Sequence, residues 1–149
     1  MPCQPLFDAV PPLAGAPLGR IDYGSPSFIG QELPPDLHAV VLRMAEGLDH
    51  YVVTYQCEIL LQGHAFGHGR WHRDARGSEQ DRHRLLSYGG PPTEGEDRLL
   101  TPGTVWEYTG DYLHRSVPTA QDCHRLLIRV SQTNMRPRDR WRFFRTESS

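Results

Sequence analysis

Gly63-His64-Ala65-Phe66-Gly67-His68-Gly69-Arg70-Trp71-His72-Arg73-Asp74 decides how the rest of the chain is read. His64, His68 and His72 stand at i, i+4 and i+8, a spacing that on a helix would make a metal-binding face. Gly63, Gly67 and Gly69 oppose a helix, since each interior glycine costs roughly 1 kcal/mol relative to alanine. As extended chain, the stretch puts His72 and Asp74 on one face, roughly 7 Å apart at their Cα atoms. A bare His-x-Asp arises often by chance. Here Asp111-Tyr112-Leu113-His114-Arg115-Ser116 offers a further imidazole after a Gly-bounded turn. Two imidazoles and a carboxylate on one face of a β scaffold, with positions left open, suit non-haem Fe(II) and oxygen chemistry. His72, Asp74 and His114 are therefore the candidate metal ligands and catalytic residues.

The flanking sequence supports a β scaffold. Residues 51–62 are rich in β-branched and aromatic side chains and predict a long strand. Residues 71–74 are short and extended, and 75–81 form a polar loop. Further strands are expected over 82–88, 98–100 and 104–109, with 113–118 and 124–133 forming a final hairpin. Upstream, Leu37, Val40, Val41, Met44 and Leu48 make one apolar stripe at helical spacing, so 36–48 predicts the chain's one clear helix. Residues 1–35 contain eight prolines, which rules out a long helix and predicts an extended arm. The expected architecture is α+β and mainly β: a single domain over 1–149 with a barrel or sandwich over 51–133 and a C-terminal segment over 134–149.

Composition narrows the function. At 149 residues the chain is long enough to bury a core without disulfides, and 38% hydrophobic content with many Gly and Pro suits a turn-rich β protein. A net charge of −2 makes no overall case for nucleic-acid binding. The sequence has no lysine, so any fixed cation that grips an anion must be an arginine. Cys3, Cys57 and Cys123 are odd in number and show no CxxC spacing, which fits a reduced, cytoplasmic setting. The first residues lack the basic region and apolar core of a signal peptide, and no apolar run reaches the ~18–20 residues of a membrane span.

His72-Arg73-Asp74, then His114-Arg115-Ser116-Val117-Pro118, then His124-Arg125-Leu126-Leu127 resemble the Fe(II)/2-oxoglutarate-dependent oxygenases, over roughly residues 51–133. The resemblance implies a double-stranded β-helix (a jelly-roll, cupin-like barrel), Fe(II) on His72, Asp74 and His114, and 2-oxoglutarate and O2 as cosubstrates. It implies oxidative decarboxylation to succinate and CO2 coupled to hydroxylation or other oxidation of a C–H bond. It also implies a downstream arginine for the distal carboxylate of 2-oxoglutarate. Arg125 and Arg129 compete for that role. They share parity but lie about 13 Å apart along a strand, so only one can sit beside the iron. A turn centred on residues 119–120 sets Arg125 opposite His114, and one centred on 121–122 sets Arg129 there. The register favours Arg125, and Arg129-Val130-Ser131 keeps the alternative open. The 39 residues between Asp74 and His114 are few for the family and must supply four core strands with almost no insertion.

Several residues carry a functional and a plainer reading. Ser116 shares parity with His114 and is a candidate cosubstrate contact, against a hydroxyl that bonds its own backbone. Trp71, Tyr88, Trp106 and Tyr108 read as barrel core rather than substrate contacts. His64 and His68 belong to a mouth loop, beside Arg70, Arg73 and Arg76, which could meet an anionic substrate or simply stay solvated. The tail 136–145 interleaves arginines with Trp141, Phe143 and Phe144; it reads as a closing segment docked by its aromatics, ahead of a nucleic-acid surface. A small amino-acid- or peptide-like molecule is the default substrate. Two alternatives stand beside this one: a cupin metalloenzyme that does not use 2-oxoglutarate, and a non-catalytic cupin-like module. The oligomeric state is open, since the arm could pack in cis or embrace a second copy.

Overall fold

A computed structural model describes residues 3–67, 69–74 and 77–143. In chain order the elements are β1 (Gln4–Asp8), β2 (Gly19–Gly24), α1 (Pro26–Glu32), α2 (Pro35–Met44), β3 (Val52–Leu60), β4 (Arg82–Tyr88), β5 (Thr93–Gly95), β6 (Leu99–Leu100), β7 (Thr104–Thr109), β8 (His114–Arg115) and β9 (Cys123–Gln132). The α+β, mainly β expectation holds. A six-stranded sheet has the order β1-β7-β4-β9-β3-β2, and a three-stranded sheet the order β6-β5-β8. The pairings are antiparallel, and the two sheets are not joined into one closed ladder among the described residues.

The alternation of β9 explains the layering. Leu126, Ile128 and Val130 point to one face, where they join Val53, Tyr55, Cys57, Leu86 and Val105 under the two helices. From α2, Leu37, Val41 and Met44 complete this core, the stripe expected from the sequence. The opposite face of the large sheet carries Leu85, Trp106 and Tyr108 against Leu100, Tyr112 and Cys3, a smaller cluster between the sheets. The site occupies the rest of that inter-sheet space. Among the described residues no helix is long and apolar enough to cross a membrane.

Four expectations need correction. There are two helices, not one: Ser25 caps α1 by accepting the Phe28 N–H at 3.3 Å, with Pro26 beginning the helix, a start signal hidden among the prolines. The arm is more than an extended cover, because β1 pairs with β7 and β2 with β3, supplying both edges of the large sheet. The segment Thr93–Gly95 is a strand, absent from the sequence reading. Finally, 113–118 and 124–133 form no hairpin. β8 pairs with β5 in the small sheet, whereas β9 lies between β3 and β4 in the large one. The connection crosses between sheets and is tied to the mouth loop by Thr119 N–H to His64 O and Gly63 N–H to Thr119 O, at 2.9 and 2.8 Å.

The tail closes over β2. Arg20 and Arg142 exchange backbone hydrogen bonds of 2.7 Å, and Trp141 packs edge-on against Tyr55 with ring centroids 5.8 Å apart. Gly19 is required at this crossing: its φ is +142°, and a Cβ there would lie 2.9 Å from Arg142 O. Docking through Trp141 is as expected. Phe143 stacks on Trp141 but is 75% exposed, and Phe144 lies outside the described residues.

Candidate metal centre

His72 and His114 are brought together by backbone pairing. Each donates its N–H to the other's carbonyl, at 2.9 and 3.0 Å, which adds the His72 segment beside β8. Their rings consequently lie 4.5 Å apart at the centroids. Asp74, two residues beyond His72, turns its carboxylate to the same point. Its Oδ2 is 3.1 Å from His114 Nε2, and its Oδ1 is 3.8 Å from His72 Nε2. One ligand atom from each of the three lies within 4.8 Å of the others. Sequence reasoning from the His-x-Asp and the distal His located this cluster.

The imidazoles are set up to coordinate. His72 Nδ1 faces the Arg70 carbonyl at 2.8 Å, and His114 Nδ1 faces the Tyr112 carbonyl at 3.0 Å. A carbonyl only accepts, so each Nδ1 carries the proton and each Nε2 presents its lone pair toward Asp74. One divalent ion can reach both nitrogens and the carboxylate, and the residues present fit a metal of the two-His, one-carboxylate kind.

Asp74 is held from behind. Tyr108 donates its hydroxyl to Oδ2 at 2.7 Å, and Arg129 approaches the same oxygen at 3.1 Å. His83 completes the support: its Nε2 donates to the Asp74 carbonyl at 2.9 Å while Nδ1 accepts from Ser131 Oγ at 2.8 Å. Burial opposes the charge on Asp74, but Arg129, His114 and His83 outweigh it and keep the carboxyl well below its usual range. Burial, then the neighbouring Arg129, lowers His83 to about 4, so it is neutral there near pH 7. Burial and the adjacent Asp74 carboxylate push the Tyr108 phenol well above its ordinary value, so it stays a donor.

The two competing arginines occupy different places. Because β8 and β9 share no hairpin, the register argument does not separate them; their partners do. Arg129 serves Asp74. Arg125 is 1% exposed, lies over the Phe66 ring at 4.6 Å and donates to Thr93 Oγ1 at 3.3 Å. Its Nε is buried without a hydrogen-bond partner, and it makes no ion pair among the described residues. Burial draws the guanidinium down to about 10, a shift that a bound carboxylate would oppose. Gly90 permits this placement, since a Cβ there would meet Arg125 Cδ at 2.7 Å.

Ser116 joins the metal cluster in lining a cavity of about 430 Å³. Trp106 and Tyr108 are buried as expected, although Tyr108 also contacts Asp74. Tyr88 is half-buried; Trp71 is 41% exposed beneath Arg115, 5.0 Å away. His64 and Arg70 are exposed, and His68 and Arg76 lie outside the described residues. Arg73 is exposed too, lines the cavity and donates to the Asp111 carbonyl at 3.0 Å. Sequence reasoning missed His83, Thr93, Phe66, Arg20 and Asp22; Arg138 and Arg142, read there as solvated arginines of a docked tail, also line the cavity. Strand parity with Leu85 was the one available signal for His83.

No protein-family profile, curated protein or solved structure matches this chain.

Proposed function

We propose that the chain is a small non-haem Fe(II) oxygenase that uses 2-oxoglutarate to oxidise a C–H bond. The observation that carries this reading is the two-His, one-carboxylate cluster at the wall of a cavity, with both Nε2 atoms aimed at one point. Strand order supports the matching fold. Counted from β3, with the His72 segment second, the core strands run large, small, large, small, small, large, small and large sheet. That is the order of a jelly roll, so a double-stranded β-helix with unsealed edges is the architecture we infer.

Bound at this site, Fe(II) with 2-oxoglutarate would supply the activation of O2 that C–H oxidation requires. The chain's own share is positional. His72, Asp74 and His114 would hold the metal and leave its cavity side open. Arg129 and Tyr108 keep Asp74 ionised and fix its oxygens; His83 fixes its backbone. Arg125 and Thr93 offer a buried cationic socket for a carboxylate, with Phe66 excluding water from the guanidinium.

Anaerobic titration of the protein with Fe(II) and then 2-oxoglutarate tests the reading through the visible charge-transfer band of the chelate. A saturable band is expected in wild type, lost in His72→Ala and weakened in Arg125→Gln. Arg125→Gln should weaken 2-oxoglutarate binding by about 2–3 kcal/mol, the scale of a hydrogen bond to a charged group. Iron binding without the band would favour a cupin enzyme independent of 2-oxoglutarate.

One observation favours a second reading. Asp74 already has Arg129 and His114 at 3.1 Å, a charge-matched set that could be purely structural. On that reading the folded protein binds no stoichiometric Fe(II).

A further inference from the structure

Five arginines (Arg20, Arg73, Arg129, Arg138 and Arg142) line the cavity against two carboxylates, Asp22 and Asp74. For a chain of net charge −2 this is a strong local excess of positive charge. Arg129 is matched by Asp74. Arg20 Nε and Arg142 Nη2 share Asp22, at 2.6 and 3.4 Å, so one carboxylate answers two guanidiniums. Two further acids, Asp139 and Glu32, do not line the cavity: Asp139 accepts from the Ser25 N–H and hydroxyl at 2.7 and 2.8 Å, and Glu32 accepts from Trp141 Nε1 at 3.1 Å. The Arg138 side chain has no ion pair or hydrogen bond among the described residues, although its backbone N–H is anchored to Tyr23 O at 2.8 Å. Metal and cosubstrate do not remove the excess, since the charges of a dication and of 2-oxoglutarate cancel.

These arginines stand apart from the Arg125 socket. Arg20 pairs across the sheet with Gln56, which pairs with Leu127, placing it two strand spacings, roughly 10 Å, from β9. Arg138 and Arg142 reach the same edge from the tail. The cavity size, about 430 Å³, suits a small molecule. We propose that the cavity takes a small anionic substrate whose carboxylate or phosphate is held at the β2 edge by Arg138 with Arg20 and Arg142. The oxidation of that molecule rests on the oxygenase reading; the anion site does not.

The probes are inorganic phosphate and acetate, titrated into metal-free protein against chloride at matched ionic strength, read by thermal midpoint and tryptophan fluorescence. Trp141 beside Arg142 is a local reporter. Saturable binding of one probe above chloride is expected, and the probe that binds identifies the oxyanion class. The double variant Arg138→Gln/Arg142→Gln should weaken it by on the order of tenfold or more, as loss of charge-assisted hydrogen bonds implies. Arg138→Lys should retain part of the affinity, and Arg43→Gln, outside the cavity lining, all of it. No effect above chloride for either probe, or equal affinity in wild type and the double variant, overturns the proposal. So does loss confined to Arg125→Gln, which would put the anion in the cosubstrate socket. Anion binding with no Fe(II) uptake would leave this site standing and remove the oxygenase reading.

Discussion

Asp74 Oδ2 accepts from a phenol and lies 3.1 Å from both a guanidinium and an imidazole, and each of these neighbours is buried or nearly so. Removing the phenol tests how far the carboxylate depends on this support. Tyr108→Phe in metal-free protein should lose about 1.5–3 kcal/mol by urea denaturation, the range for a hydrogen bond to a charged group. No loss would mean Arg129 alone suffices. His83 gives a pH signature. Its pKa falls from 6.5 to about 4 on folding, so below pH 6.5 the unfolded chain takes up a proton that the folded chain refuses. Stability should decline as pH drops from 6.5 toward 4, by on the order of 3 kcal/mol in total. In His83→Gln the slope between about pH 6.5 and 5 should flatten; an unchanged slope would assign it to other groups. The candidate ligands themselves were legible because metal chemistry restricts residue type and spacing. Their supports were not, since Tyr108, His83 and Arg129 reach Asp74 only after strands distant in sequence are paired.

Among the elements, β9 organises the fold. It is central in the large sheet, with Leu126, Ile128 and Val130 under the helices, Leu127 and Arg129 lining the cavity, and Arg125 packed against Phe66 and Thr93. Ile128 is 0% exposed, so Ile128→Ala should cost about 2–5 kcal/mol through lost transfer energy and a residual cavity. A cost below 1 kcal/mol would indicate that the helical layer collapses onto the gap. The alternation of β9 and the stripe of α2 were readable, because a strand or helix repeats its burial pattern locally. Its pairing was not. Residues 116–122 look like a hairpin turn in isolation, yet they carry the chain from one sheet to the other. Likewise the prolines of the arm indicated extended chain but not that β1 and β2 would serve as sheet edges. Three residues such as Thr93–Gly95 have too little pattern to announce a strand.

At the scale of the whole molecule, two sheets that share no ladder among the described residues are joined through side chains. Arg125 reaches Thr93 from β9 to β5, and Arg129, Tyr108 and His83 converge from the large sheet on Asp74, beside the small-sheet pair of His72 and His114. A metal on the three ligands would add a link at this junction, so its binding energy should appear as resistance to local opening there. The mutual amide bonds of His72 and His114 are the natural gauge. In chelator they should exchange with solvent faster than the amides of Leu126 and Ile128 inside β9, because a two-residue strand opens before a central one. Mn(II), an air-stable stand-in for Fe(II), at about 100 times its Kd should slow the pair by about a hundredfold, corresponding to about 2.7 kcal/mol. If the pair exchanges at the same rate with and without metal, the ion pairs around Asp74 already close the junction. The cluster is then a structural clasp between the sheets, and the catalytic reading fails with it.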